Sequence, residues 1–162
     1  MQEHKSKDFA DLIRTFNGHK VRFVIIGAHA VAFHGYARGT KDLDILIDPA
    51  PKNITRVLAA LEDFGFGSLG LRETDFTKEN VVQLGVAPNR VDLLSEIAGV
   101  RSNEIWRTRK PGRYEGNLVS YISLECLLKN KKAVNRSQDQ LDVQKLQEQA
   151  RLSREKKQTQ SW

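Results

Sequence analysis

The sequence predicts an α+β fold in which helices pack on one mixed β-sheet and the C-terminal segment is helical. Short runs of β-branched and apolar residues, of which 21–26 is the clearest, predict strands. Apolar residues spaced three or four apart, as in 53–64, predict amphipathic helices. Residues 137–154 have the pattern of a long exposed helix. A chain of 162 residues is long enough to bury one core, so we expect a single domain.

The first half of the chain is predicted to alternate helices with buried strands. In order, these elements are a helix over 8–16, a strand over 21–26, a short helix over 28–33, a strand over 42–48 and a helix over 53–64. Each is followed by a residue that ends regular structure, namely Gly18, Gly27, Gly35, Pro49 and Gly65.

The second half of the chain is predicted to be more irregular before it becomes helical. A Gly-rich loop with a short strand is predicted within 66–80. A hairpin follows, with strands over 81–86 and 90–94 and a turn at Ala87, Pro88 and Asn89. The remaining elements are a helical turn over 103–107, a strand over 117–122 and a helix that has Ser123 as its N-cap. We divide the chain into a core of residues 1–122, a helical segment of residues 123–155 that completes the same domain, and a frayed polar tail of residues 156–162.

Composition restricts the classes of function. No stretch has the apolar length of a membrane span, and the one cysteine, Cys126, excludes an internal disulfide, so we expect a cytoplasmic protein without a membrane partner. The formal net charge is +6, and residues 129–157 hold nine Lys or Arg against four Asp or Glu. A basic C-terminal end favours polyanions such as nucleotides or RNA, although a solvated helix face has the same composition.

Three aspartates carry the strongest chemical signal. Asp42 and Asp44 are two apart in a predicted strand, so their side chains share one face of the sheet. Asp92 lies within a second, apolar strand. Carboxylates that converge repel one another unless a cation lies between them, and hard oxygen ligands suit Mg²⁺ or Mn²⁺. We therefore predict that Asp42, Asp44 and Asp92 are catalytic metal ligands for two ions.

The segment before these acids has features of a phosphate site. A strand that runs into Gly27 and then a helix would present the amides of Gly27 and Ala28 to phosphate oxygens. Arg38 has a planar fork that can grip a phosphate, and the hydroxyl of Thr40 can orient a phosphate or a carboxylate. Alternatively, Arg38 and Thr40 are ordinary surface residues of a loop.

In order along the chain, these motifs resemble the DNA polymerase β-like nucleotidyltransferase superfamily. The residues that carry the resemblance are Gly27-Ala28-His29-Ala30-Val31, His34-Gly35, Arg38 and Thr40, Asp42-Leu43-Asp44, Val91-Asp92-Leu93-Leu94 and Ile122-Ser123-Leu124-Glu125. More narrowly, they are similar to small bacterial nucleotidyltransferase-like proteins related to AbiEii-type toxins. The resemblance implies the polymerase β-like fold, an NTP substrate such as ATP and divalent metal. Ala28 departs from the usual Gly or Ser, whose hydroxyl would reach the phosphates.

A further segment resembles this family's Asn-Lys…Arg-x-x-Asp-x-x-Asp pattern near the C-terminus. By that resemblance, Lys131 binds the NTP phosphates and Asp139 lies at the rim of the active site. Alternatively, Asp139 and Asp142 form surface pairs with Arg136 and Lys145, which would contribute little to stability.

The first functional hypothesis is therefore an enzyme that moves a nucleoside monophosphate from an NTP to an acceptor hydroxyl and releases pyrophosphate. The resemblance suggests RNA, especially tRNA, or a partner protein as acceptor, as for the toxin of a toxin–antitoxin pair with its antitoxin partner. A second hypothesis is an antibiotic-modifying nucleotidyltransferase, although the chain has little room for a drug-binding domain. A third is a non-catalytic nucleotide-binding or partner-binding module.

Overall fold

A computed structural model describes residues 2–39, 42–77, 80–86 and 89–160, with side chains from residue 8 onward. It confirms the predicted α+β class. The helices are α1 (Gln2–Gly18), α2 (Gly27–Phe33), α3 (Pro51–Leu61), α4 (Ser102–Thr108), α5 (Leu124–Val134) and α6 (Ser137–Gln160). The strands are β1 (Phe23–Ile26), β2 (Asp42–Ile47), β3 (Val82–Leu84), β4 (Arg90–Leu94), β5 (Lys110–Tyr114) and β6 (Asn117–Tyr121).

The six strands form one mixed sheet in the order β3-β4-β2-β1-β6-β5. The two inner pairs β2–β4 and β1–β6 are parallel, and β1 runs antiparallel to β2. The outer strands β3 and β5 are each antiparallel to their neighbours. Because β2 and β4 run in the same direction in register, residues from distant parts of the chain lie side by side at the middle of the sheet.

The core lies between the sheet and the helices. Every residue of β1 is buried, which agrees with a central strand covered on both faces. One face of α1 supplies four buried side chains, Phe9, Leu12, Ile13 and Phe16, at the spacing predicted from the sequence. Helix α1 packs on α3, while α2 and α6 both contact α5. The described part of the chain contains no helix of the length and apolarity that crossing a membrane requires.

One sequence prediction about an irregular segment is wrong, and one strand was missed. The short strand expected within 66–80 is absent from its described part, where a π-helical turn that ends at Phe66 is followed by 3-10 turns at Gly67–Leu69 and Glu73–Phe76. Strand β5 was not predicted, because its residues are polar or helix-breaking and lack apolar alternation. It forms a hairpin with β6 through Glu115 and Gly116, both at positive φ, as a type I′ turn requires.

The helical C-terminal end is confirmed, with one correction. Ser123 is the N-cap of α5, where its Oγ accepts a hydrogen bond from the Cys126 amide, and Cys126 is fully buried. Helix α6 was expected to be exposed throughout, but Asp139, Asp142 and Leu146 are buried. It also continues to Gln160, into the segment expected to be a polar tail.

Candidate active site

The three predicted aspartates lie together on two adjacent strands. In the parallel pair of β2 and β4, Asp44 is directly opposite Asp92, and Asp42 is directly opposite Arg90. Since residues two apart in a strand share a face, Asp42, Asp44 and Asp92 all point to the same side of the sheet. The carboxyl groups of Asp44 and Asp92 are within hydrogen-bonding reach of each other. The side chain of Asp92 is only 12% exposed, whereas that of Asp42 is 30% exposed.

Crowding of these acids makes ionisation of Asp44 unfavourable. Burial, then the charges of Asp92 and Asp42, raises the pKa of Asp44 to about 6, although Lys131 and Arg90 partly oppose the rise. Burial likewise raises the pKa of Asp92. Perturbed carboxyl groups clustered in a cleft are typical of functional sites, and this kind of repulsion is relieved by a cation.

The structure gives Gly27 a role in packing that was not predicted from the sequence. Its φ is +67°, and a Cβ at this position would collide with Asp44 Oδ2. The glycine is therefore required to hold the Asp44 carboxylate against the end of β1. Gly27 and Ala28, whose amides are predicted to bind phosphate oxygens, both line the same pocket as the acids.

Arg90 is a site residue that the sequence analysis missed. Its Nη2 lies 3.0 Å from Asp42 Oδ2 and 3.4 Å from Asp92 Oδ2, and its Nε lies 3.2 Å from Asp92 Oδ1. The guanidinium thus bridges two of the three acids. The signal was present in the sequence, because Arg90 stands two residues before Asp92 and so faces the same side of the strand.

Among the described residues, no group of three or more His, Cys, Asp and Glu side chains is arranged to hold a metal ion. The donor set nevertheless has the chemistry, though not this arrangement, of a divalent-cation site. It consists of three carboxylates from adjacent strands, and the pKa values of two of them, Asp44 and Asp92, are raised. The Arg90 guanidinium already lies beside them. Hard oxygen donors of this kind match Mg²⁺ and Mn²⁺.

A second ionic cluster lies beside the acids. Asp142, which is fully buried, receives a bidentate contact from Arg38, whose Nε and Nη2 are 2.9 and 3.0 Å from its two oxygens. Lys131 Nζ is 3.1 Å from both Asp139 Oδ1 and Asp142 Oδ2. Arg136 Nε donates to Asp139 Oδ2 at 2.8 Å. This cluster joins α5, α6 and the segment after α2.

The cluster corrects two expectations about α6. Asp139 lines the pocket but is only 1% exposed, and its expected pair with Arg136 is present, so this pair is buried on the aspartate side. Asp142 pairs with Arg38 and Lys131, not with Lys145 at the surface. Although burial opposes it, hydrogen bonds from Arg136 and Lys131 hold the pKa of Asp139 below its ordinary value. In Asp142, bonds from Arg38, Gln138 and Lys131 likewise outweigh burial and lower the pKa.

The two clusters line one open pocket of about 670 Å³. Its polar wall contains Asp42, Asp44, Asp92, Arg90, Arg38 and Lys131. An apolar side is formed by Val81, Leu94, Ile97, Ala98 and Val134. The structure therefore brings together the predicted residues Gly27, Ala28, Arg38, Asp42, Asp44, Asp92, Lys131 and Asp139. Thr40 lies outside the described residues.

Comparison with protein-family models finds no match for the chain, and comparison with curated proteins finds none either. A function is therefore inferred from the residues of this pocket.

Proposed function

We propose that the protein is a metal-dependent nucleotidyltransferase that moves a nucleoside monophosphate from an NTP to an acceptor hydroxyl. The observation that carries the proposal is the in-register placement of Asp44 and Asp92 on parallel strands, with Asp42 on the same face, in an open pocket lined by cations. This arrangement also agrees with the polymerase β-like fold implied by the resemblance of the motifs.

The proposed roles follow from position. Asp42 and Asp44 would hold the ion that carries the triphosphate, and all three acids would hold a second ion next to the acceptor. Divalent ions at such a site stabilise phosphate oxygens as Lewis acids and lower the pKa of an attacking hydroxyl. Arg38 and Lys131 line the same pocket, where they can donate to the phosphates and stabilise charge on the departing group.

The reaction balances with groups from this pocket. A bond forms between the acceptor oxygen and the α-phosphorus, the bond from that phosphorus to the pyrophosphate oxygen breaks, and pyrophosphate leaves. Asp92 is the proposed acceptor of the hydroxyl proton, because it is the one buried residue of the three acids. The apolar side of the pocket, which includes Leu94 and Ile97, is suited to a nucleobase or the non-reacting part of the acceptor.

The acceptor proposed first is RNA, and a partner protein is the alternative. Helix α6 favours RNA, because residues 151–160 are all exposed and hold four Lys or Arg (Arg151, Arg154, Lys156 and Lys157) against Glu155 alone. A cytoplasmic toxin with an antitoxin partner would fit either acceptor.

A nucleotide-binding module without transfer is the second candidate. Two observations favour it. Ala28 supplies no hydroxyl to the phosphates, and Arg90 is paired with acids that catalysis would need.

A transfer assay separates these functions. The protein is incubated with each NTP labelled at the α-phosphate, Mg²⁺, and either total tRNA, a cell protein extract or a panel of aminoglycosides. The proposal predicts label in tRNA or protein that is lost with a chelator and falls at least about 100-fold in Asp44→Asn and Asp92→Asn. Asp63→Asn, a substitution of the same kind at a 68% exposed side chain, should keep full activity.

Each other outcome has a defined meaning in this assay. Label in an aminoglycoside would show drug modification. Mg²⁺-dependent NTP binding with no labelled acceptor would support the binding module. Transfer that persists in both Asp→Asn variants would contradict the assignment of these acids.

A further inference from the structure

We propose that Arg90 is a built-in counter-cation of the acid cluster, and that a divalent metal ion binds to this chain only when the Arg90 guanidinium is displaced. The inference rests on the proposed function, since it assumes that Asp42, Asp44 and Asp92 hold metal. Arg90 then controls how tightly the three carboxylates bind the metal ion.

The first step of the argument is the sheet register. Arg90 is opposite Asp42 across the parallel pair of strands, and it shares a strand face with Asp92 two residues later. The register therefore places Arg90 within reach of two carboxylates that belong to different strands. Lys131, whose charge also acts on Asp44, is instead held by Asp139 and Asp142.

The second step is the identity of the atoms that Arg90 occupies. It contacts Oδ2 of Asp42 and both carboxylate oxygens of Asp92, at 3.0 to 3.4 Å. A Mg²⁺ or Mn²⁺ ion needs carboxylate oxygens at about 2.0–2.2 Å. Each carboxylate oxygen has two lone pairs, but Arg90 already contacts both oxygens of Asp92, and a guanidinium so close to the ion would be repelled by it. Pairing with Arg90 therefore competes with ligation of metal.

The third step is that Arg90 can leave. Its side chain is 35% exposed and lines the open pocket, so a change of rotamer places the guanidinium in solvent without opening the core. In the absence of metal, Arg90 reduces the repulsion among the three acids. When metal is present, the ion reduces this repulsion instead. Metal binding is then weaker by the free energy of the contacts that Arg90 loses.

Binding of Mn²⁺ alone tests the proposal without any assay of activity. The bound fraction is measured from the spectroscopic signal of free Mn²⁺. Arg90→Gln should bind Mn²⁺ at least about tenfold more tightly than the wild type, because a competing unit charge in contact with the ligands has been removed. Arg14→Gln, which removes the same charge from a 70% exposed side chain of α1, should bind like the wild type. Arg90→Lys, which keeps the charge but cannot bridge two carboxylates, should lie between.

A second measurement uses the wild-type protein, in case Arg90→Gln does not fold. The Nε–H resonances of the arginines are followed by NMR while Mg²⁺ is added. The Arg90 resonance should shift on binding, while that of Arg38, which Asp142 holds, should stay in place. An unchanged Arg90 resonance at saturating Mg²⁺ would overturn the proposal.

The outcomes separate this proposal from the proposed function. Equal or weaker Mn²⁺ binding by Arg90→Gln would overturn the role of Arg90 and leave the metal site intact. Tighter binding by Arg90→Gln, with no labelled acceptor in the transfer assay, would support the role of Arg90 and count against catalysis. Binding of Mn²⁺ to neither protein would overturn both.

Discussion

Asp44 is held against Gly27 at the end of β1, with Asp42 and Asp92 beside it on the same face of the sheet. Gly27 has a positive φ, which other residues rarely adopt, and the crowded acids raise the pKa of Asp44 to about 6. Perturbed acids that cluster in a pocket are characteristic of functional sites.

The pH dependence of stability in chelator should reveal the raised pKa of Asp44. Between the ordinary value of 3.8 and about 6, the folded protein holds a proton that the unfolded chain has released, so Asp44 makes stability fall as pH rises through this range. Asp44→Asn should therefore be more stable than the wild type by about 1–2 kcal/mol above pH 7, after allowance for partial exposure. Urea unfolding at several pH values measures the difference.

Below about pH 3 that difference should disappear, because Asp44 is then protonated in both states. Asp63→Asn should follow the wild type over the whole range. A constant difference between Asp44→Asn and the wild type at every pH would contradict the raised pKa.

Gly27→Ala should destabilise the protein through two effects, a positive φ and a collision with Asp44. Gly116→Ala is a matched control, because Gly116 also has a positive φ, of +83°, and a Cβ there would have no atom within 4 Å. We expect a loss of about 1 kcal/mol for Gly116→Ala and about 2–4 kcal/mol for Gly27→Ala, measured by urea unfolding. Equal losses would show that the Asp44 carboxylate is not packed on Gly27.

At the scale of elements, buried ion pairs hold α6 to the rest of the site. Asp142 on α6 binds Arg38, which follows α2, and Lys131 on α5, so one carboxylate joins three parts of the chain. Both cations line the pocket. The packing of α6 and the orientation of the proposed phosphate-binding groups, Arg38 and Lys131, therefore depend on the same contacts.

Asp142→Asn should cost about 3 kcal/mol of unfolding free energy, because it leaves two partly buried cations with less negative charge. Glu155→Gln on the same helix is the control. Glu155 is in an exposed i,i+4 pair with Arg151, and its loss should change stability by less than about 0.5 kcal/mol. A loss below 1 kcal/mol for Asp142→Asn, measured by thermal or urea unfolding, would mean that the cluster is not a structural link.

Element prediction from the sequence succeeded where the apolar pattern was strong. Strand β1 and helix α1 were predicted from apolar residues that the structure buries. The N-cap Ser123 was predicted because it directly precedes the helix. Strand β5 was missed because it lies at the sheet edge and has few buried residues. The buried start of α6 was missed because Asp142 is paired with Arg38, which is distant in the chain, and local periodicity does not report such a pair.

For the whole molecule, the sheet order explains why the site could be predicted in part. Asp42 and Asp44 were predicted from their spacing in one strand, and Asp92 as an acid within a second, apolar strand. The parallel register of β2 and β4 brings Asp44 and Asp92 side by side. The bridge from Arg90 to Asp42 depends on that same pairing, so it required knowledge of which strands are neighbours. The α6 cluster depends on the packing of helices against the sheet, which spacing along the chain does not contain.

A crystal structure of the protein with Mn²⁺ and a non-hydrolysable NTP analogue tests the central claim most directly. The account predicts anomalous Mn²⁺ peaks within about 2.0–2.3 Å of carboxylate oxygens of Asp42, Asp44 and Asp92, with the triphosphate beside them and Arg90 turned away. Mn²⁺ bound elsewhere, or an Arg90 bridge that persists between Asp42 and Asp92 at saturating Mn²⁺, would contradict it.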